Sequence, residues 1–298
     1  MKFPNWKCSE LGRNVHRVTF DFEGRGDVAW VLLRSDAHHD NPDSLNDMEE
    51  EHLKLAKKRN AVIIDNGDAF CAMQGKWDPR SDKSALKPEH QVDDYLDALV
   101  STYADFLKPY APNFAVLGTG NHETSVLKRR ETNLTERLAE RLRVIGGFKG
   151  FCGSYTSWVF LSVKRGGDNK RNASHTLKLW RTHGEGGGAP VTRGVIQTSR
   201  RAVYVPDANI IVSGHIHNEW VVPIQRIRVS QRGKVFQDEQ THIQVPSYKD
   251  SYKDGHSYGE WSIERGMPPK PVGAIWLKLY LKPKKQRDEW TFDIERAK

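Results

Sequence analysis

Cysteine is scarce in this 298-residue chain. Cys8, Cys71 and Cys152 are an odd number, far apart and without a C-x-x-C, which excludes a disulfide framework and a thiolate zinc knot and leaves reduced thiols as the expectation. No stretch approaches the roughly 20 consecutive apolar residues of a membrane span, and the opening MKFPNWKCSELGRN lacks the apolar centre of a signal peptide. These absences point to a cytoplasmic protein that engages no membrane. Also missing are a composition break suited to a linker and any long repeat, so a single domain over 1–298 is expected. At 37% hydrophobic and 28% charged residues, neither disorder nor a fibrous role fits.

Charge is plentiful but uneven. Residues 1–120 hold 15 Lys/Arg against 20 Asp/Glu, and residues 121–298 hold 31 against 18, so a first part at −5 precedes a second at +13. A basic second half suits a polyanionic partner such as nucleic acid, and equally a solvated surface.

Short apolar runs end abruptly in polar or glycine residues: Val28–Arg34, Ala61–Ile64, Phe114–Leu117, Thr176–Arg181 and Ile210–Val212. They read as buried strands with polar C-terminal ends. Helical patterns lie between the early ones, from a cap at Ser44 to about Arg59, from about Glu89 to Leu107 and from about Ser125 to Arg143. Alternation of strand and helix predicts an α/β sheet protein. Successive strands at Ser154–Lys164 and His175–Arg181 make the sheet mixed.

The strand ends carry Asp36-Ala37-His38, Gly67-Asp68, Gly120-Asn121-His122-Glu123, His183 and Gly214-His215-Ile216-His217. Ligands of open α/β sheets collect at the carboxyl edge of the strands, so five groups spread over the sequence can converge there. Imidazoles, carboxylates and one amide oxygen, with no thiolate, suit borderline divalent ions such as Mn, Fe, Zn, Co or Ni. In an extended D-x-H or H-x-H segment the two side chains share one side, and the glycines before Asp68, Asn121 and His215 allow a sharp turn.

The ordered set D-x-H, G-D, G-N-H-E, H and G-H-x-H resembles the calcineurin-like metallophosphoesterase superfamily over about Val28 to His217. The resemblance implies a four-layer α/β/β/α sandwich with mixed sheets and a two-metal site at the C-terminal strand edge. It implies that Asp36, His38 and His217 hold one ion, Asn121, His183 and His215 a second, and that Asp68 bridges them. His122 then corresponds to the non-ligating acid or transition-state donor, with Glu123 a candidate to orient it. Two dications of this kind, Mn foremost, activate a bridging hydroxide for in-line attack on a phosphate ester. The C-terminal strands and basic tail, 218–298, lie beyond the motif core.

Departures narrow the class. Gly67-Asp68-Ala69-Phe70-Cys71-Ala72 lacks the G-D-x-x-D-R-G of protein Ser/Thr phosphatases, and Cys71 stands where purple acid phosphatases place a tyrosine ligand. Cys71 reads as a small buried apolar residue. For a nucleic-acid substrate the candidates are Arg137 and Arg141 on one helical face, and Lys249 and Lys253 interleaved with Tyr248 and Tyr252. The glycine-rich run 183–190 offers a mobile substrate loop. The expected activity is a phosphodiesterase or nuclease. The alternatives are a phosphomonoesterase or small-molecule phosphodiesterase and, more remotely, a catalytically dead binding protein on the same fold.

Overall fold

The computed structural model describes residues 3–74, 81, 86–165, 175–189, 191–252, 264, 266–284 and 288–297. Its frame is two mixed sheets. The first to take shape runs through β3 (Val28–Arg34), β4 (Val62–Asp65), β5 (Phe114–Leu117) and the short β6 (Phe151–Cys152), all parallel, with β12 (Ala274–Lys282) and β13 (Glu289–Ala297) added antiparallel beyond β3. The second sheet has the order β1 (Asn5–Gly12), β2 (Val15–Phe22), β7 (Thr156–Arg165), β8 (His175–Thr182), β9 (Ile210–Ser213), β11 (Val235–Gln244) and β10 (Trp220–Val229). Within it β2–β7, β8–β9 and β9–β11 are parallel and the other pairs antiparallel.

The near-continuous apolar runs follow from burial on both faces. Ala29, Val31 and Leu33 of β3 join Val18, Phe20 and Phe22 of β2 and Val159, Leu161 and Val163 of β7 in the core between the sheets. The opposite residues, Trp30 and Leu32, pack instead under α1 (Asn46–Lys58), α2 (Tyr95–Leu107) and α4 (Leu134–Gly146). Leu134, Leu138 and Leu142 of α4 are buried there at helical spacing. On the outer face of the second sheet a smaller cluster of Trp180, Ile211, Val205 and Ala208 sits by α5 (Gln197–Tyr204). The layering is therefore α/β/β/α, with the last layer reduced among the described residues to one eight-residue helix. No helix among the described residues is long and apolar enough to cross a membrane.

Three sequence expectations change in detail. Ser44 does not cap α1; its hydroxyl donates to the Ala37 carbonyl at 2.7 Å and ties the helix entrance to the D-x-H loop. The helix expected from Ser125 to Arg143 is two helices, α3 (Asn121–Arg130) and α4. Glu131 turns left-handed at φ 53° and Asn133 caps α4 by accepting from the Glu136 N–H. The basic tail is not a tail where it is described: Lys282 ends β12, and Lys284 beyond it pairs with Glu289 of β13 at 2.7 Å.

Candidate metal centre

The C-terminal ends of β3, β4 and β5 from one sheet and of β8 and β9 from the other open onto one edge, and each releases one motif. The loops are laced by backbone bonds. Asp36 and His38 donate to the carbonyls of Gly67 and Asp68 at 2.9 and 3.1 Å, and Gly214 donates to that of His183 at 2.9 Å. The Asn66 amide donates to the Thr182 carbonyl at 2.8 Å and joins the two sheets at this edge.

Among the described residues three groups offer ligand atoms within 4.8 Å of one another: Asp36, His38 and His217; Asp68, His183 and His215; and His38, Cys71 and His122. In the first, His217 Nε2 lies 3.2 Å from Asp36 Oδ1 and 3.3 Å from His38 Nε2. In the second, His183 Nε2 lies 3.1 Å from Asp68 Oδ2, while Asn121 Oδ1 stands 3.0 Å from His183 Nε2 and 2.7 Å from His215 Nδ1. All seven candidate ligands are thus assembled at one place.

The backbone achieves this differently from the extended geometry the spacing suggests. Asp36, His38, Asp68, His215 and His217 all have positive φ, between 44° and 72°. Such conformations cost of order 1–3 kcal/mol each for non-glycine residues and persist where the surroundings fix them. Gly67 turns at φ 103°, as its place before Asp68 suggests, and at the other motifs the ligands themselves make the turns. Gly120 and Gly214 serve close approach instead, since a Cβ would fall 2.1 Å from Asp68 Oδ1 at Gly120 and 2.6 Å from Asp36 Oδ2 at Gly214.

Side-chain partners orient the ligands. His183 Nδ1 faces the Asn66 carbonyl at 3.0 Å, so its N–H donates there and the Nε2 lone pair points into the site. Asp36 Oδ2 accepts from the Ser35 hydroxyl and from the His215 N–H, whereas buried Oδ1 faces the imidazole nitrogens His217 Nε2 at 3.2 Å and His38 Nε2 at 3.9 Å. A buried carboxylate oxygen facing two imidazole nitrogens fits a cation between them.

Electrostatics makes the same demand. Burial alone raises both carboxyls, yet the His217 imidazole beside Asp36 and those of His183 and His122 beside Asp68 hold them well below the usual range. Against its own burial, His183 is lifted to about 9 by Asp68. The carboxylates call for positive charge, which a divalent ion supplies without a proton on the ligating nitrogens.

His122 opens α3. Its Nδ1 meets the Cys71 carbonyl, its backbone N–H donates to Asp68 Oδ1 at 2.9 Å, and its Nε2 lies 3.8 Å from Asp68 Oδ2. Glu123 does not orient it. The Glu123 carboxylate accepts from the backbone N–H groups of Asp68, Phe70 and Gly120 at 3.1, 3.1 and 2.7 Å, so it fixes the loop that carries Asp68 and the first turn of α3. Burial first, and Asp68 second, raise its carboxyl to about 8.

Two functional residues were not singled out from the sequence. Arg34, fully buried at the end of β3, pairs with Glu49 at 2.7 Å and Asp65 at 2.8 Å and meets the Tyr103 hydroxyl. Arg181, fully buried at the end of β8, donates to Asn66 Oδ1, the Ser154 carbonyl and Ser157 Oγ at 3.0, 2.8 and 3.2 Å. An arginine closing an otherwise apolar strand, just before a ligand motif, was the available signal in both cases.

The candidate substrate residues fare differently. Arg137 pairs with Asp97 across the α2–α4 contact. Arg141 is exposed on α4. Lys249, half-buried, stands close enough to Cys71 for its charge to act on the thiol. Tyr248 is no stacking platform, because it is fully buried with its hydroxyl 2.9 Å from His52 Nδ1. Lys253 lies outside the described residues. The glycine-rich run is partly packed: Gly184 is buried and its carbonyl accepts the Tyr155 hydroxyl at 2.5 Å, while Pro190 lies outside the described residues.

The family model for calcineurin-like phosphoesterase matches residues 29–219. Similar solved structures include vacuolar protein sorting 29 from Cryptosporidium parvum, at 12% identity over 90% of this chain and 98% of that one with a TM-score of 0.35. A conserved protein of Streptococcus pneumoniae described as a phosphoesterase shows 10% identity over 89% and 98%, with a TM-score of 0.32. GAP50, the anchor in the inner membrane complex of Plasmodium, shows 12% over 90% and 88%, with a TM-score of 0.41. No curated protein matches the chain.

Proposed function

We infer the activity from one premise: the chain belongs to the calcineurin-like phosphoesterase family, whose chemistry is metal-dependent hydrolysis of phosphate esters. On that premise we propose that Asp36, His38 and His217 hold one divalent ion, that Asn121, His183 and His215 hold a second, and that Asp68 is shared. The proposed reaction is phosphodiester hydrolysis, with nucleic acid as the substrate class. The carrying observation is the pair of triads, each with one carboxylate and two imidazoles within 4.8 Å. Carboxylate, amide oxygen and imidazole suit Mn first among the borderline ions.

When bound, two such ions lower the pKa of a shared water and neutralise charge on the phosphoryl oxygens. The chain's own groups do the rest. With Nδ1–H donating to the Cys71 carbonyl, the Nε2 of His122 is the nitrogen left to carry a proton toward the leaving oxygen. Ser35, Asn66 and Glu123 hold Asp36, His183 and the Asp68 loop, so the ligands are ordered before substrate arrives.

Diesters are favoured over monoesters by what surrounds the centre. Among the described residues no Arg or Lys side chain hydrogen-bonds a candidate ligand, and the buried guanidinium of Arg181 is occupied by Asn66, Ser154 and Ser157. A diester brings one negative charge to the ions and a monoester dianion brings two, so ligands that no Arg or Lys side chain touches ask less of the diester. The excess of +13 after residue 120 favours a polyanionic substrate.

The test is turnover of bis-p-nitrophenyl phosphate against p-nitrophenyl phosphate, then of single- and double-stranded DNA and RNA, after chelation and Mn re-addition. Loss on chelation, recovery with Mn and a preference for the diester are expected. A preference for the monoester overturns the diesterase, and the absence of bound ions by elemental analysis overturns the metal centre.

A further inference from the structure

Immediately after the candidate ligand His217 comes Asn218, about 3.8 Å away at the Cα atoms as trans peptides require. Its side chain is buried to 6% exposure. It donates to the Arg193 carbonyl at 3.4 Å and accepts from Lys270 Nζ at 3.4 Å. The same Arg193 carbonyl accepts from Trp220 Nε1 at 3.0 Å. Arg193 itself is held left-handed, at φ 47°, with its side chain exposed.

The glycine-rich run after His183 closes the other side. A Cβ at Gly188 would fall 2.8 Å from Asn218 Nδ2 and 3.3 Å from Lys270 Nζ, so the absence of a side chain there is what admits the ammonium. Loops leaving both β8 and β9 therefore converge on Lys270. Among the described residues, neither Lys270 nor Arg193 has a carboxylate partner. Burial, and then the charge of Arg193, push the Lys270 ammonium below its ordinary pKa. The Lys270 ammonium, bonded to the Asn218 amide oxygen and without an anion among the described residues, is relieved by an arriving one.

We propose that Arg193, Lys270 and Asn218 form an anion subsite beside His217 that receives a second phosphate of the substrate, next along from the phosphate that is hydrolysed. The proposal rests on the phosphodiesterase reading and narrows its substrates to those carrying two neighbouring phosphates. A polynucleotide backbone and a bisphosphorylated nucleotide share that chemistry. The subsite acts on substrate affinity and takes no part in ligation of the ions.

The first arm measures binding alone. Calorimetry of the chelated full chain with thymidine 3′,5′-bisphosphate and thymidine 5′-phosphate should show the bisphosphate about tenfold tighter, the worth of one charge-assisted contact. The Arg193→Gln, Lys270→Gln double variant should lose that preference, while Lys270→Arg keeps most of it. The second arm compares kcat/KM for the 5′-p-nitrophenyl phosphate of thymidine with and without a 3′-phosphate. The wild-type ratio should be about tenfold, carried by KM, and should fall to about one in the double variant. In the third arm, the log–log salt slope for a fluorescein-labelled single-stranded oligonucleotide should drop by about 1.4 in the double variant, two contacts at about 0.7 each. A drop identifies the polynucleotide as the source, and a bisphosphate preference with an unchanged slope identifies the nucleotide. Equal binding of the two nucleotides by the wild type, or a preference that survives in the double variant, overturns the subsite. If neither p-nitrophenyl ester is turned over while the bisphosphate preference holds, the diesterase reading falls and the anion site stands.

Discussion

At the scale of single residues, His122 and Asp68 test the proposed separation of proton donation from ligation. His122 touches Asp68 through its backbone N–H and keeps its imidazole on the Cys71 carbonyl, so His122→Ala removes no proposed ligand. We expect both ions to remain by elemental analysis. The rate on an alkyl diester should fall by about 10²–10⁴, and by less on a p-nitrophenyl ester whose leaving group needs no proton. Equal losses on the two esters would remove His122 from the acid role. Asp68→Ala is expected to act through the metals, lowering the stoichiometry from about two ions to one or none as the shared carboxylate goes. Elemental analysis after dialysis measures it directly. Replacing Cys71 by Ser should change neither stoichiometry nor metal preference, since its thiol lies buried and high, at about 12, through burial.

Elements position these residues through contacts that cross the sheets, and two substitutions probe that scaffold. Arg34 ends β3 and compensates Glu49 of α1 and Asp65 of β4. Removing it as Arg34→Ala leaves two buried carboxylates without their cation, a change that typically destabilises by about 3–5 kcal/mol. Urea unfolding should show a loss of that size, and an effect below about 1 kcal/mol would mean that the network reorganises. Gly120 stands at the junction of β5 and α3. Gly120→Ala drives a methyl into Asp68 Oδ1 and the Asp68 backbone nitrogen, at 2.1 and 2.5 Å. Destabilisation of about 1–3 kcal/mol is expected, together with weaker metal retention, because the displaced atom belongs to the shared ligand. At this scale the sequence was legible where a strand is short, apolar and ends at a motif: β3 and β5 occupy the segments read from the pattern, and β4, β8 and β9 differ by a residue or so. It was less legible in the helices. The break at Glu131 depends on a left-handed residue and an Asn133 cap inside one continuous polar–apolar rhythm, which periodicity alone runs across.

For the molecule as a whole, the buried histidines set an acid limit. His16 on β2 and His242 on β11 are almost fully enclosed, and among the described residues neither finds a partner for its Nδ1. Burial lowers both, to about 4 for His242 with Arg201 and Arg226 adding to the effect, and below the ordinary value for His16. Unfolded imidazoles protonate as pH drops through about 6.5, so below that pH the unfolded chain binds more protons than the folded one. Stability of the chelated protein should therefore decline from about pH 6.5 toward pH 4, and His242→Gln should flatten the decline in urea midpoints. His183, lifted in the metal-free chain to about 9, acts in the opposite sense and loses its contribution as pH rises through that value. An acid decline unchanged in the His242→Gln variant would show that this residue does not carry it.

The sequence by itself determined the inventory: which strands are buried on both faces, and which of their ends carry Asp, Asn and His. Those are local properties, readable because a doubly buried strand must be apolar and a ligand must be a donor. Tertiary structure alone decided how the inventory is used. Two different sheets supply the five strand ends, and only their packing places Asp68 beside His183 and Asp36 beside His217. Five proposed ligands take left-handed backbone, which Asp and His tolerate better than most residues but which needs the bonds between loops distant in sequence to hold it. Glu123 looks like a partner for the adjacent His122 and is instead a backbone clamp, and Tyr248 looks like a surface ring and is instead core. In each case the identity of the side chain was fixed by sequence, while its partner was fixed by which chain segments packing brings within hydrogen-bond reach.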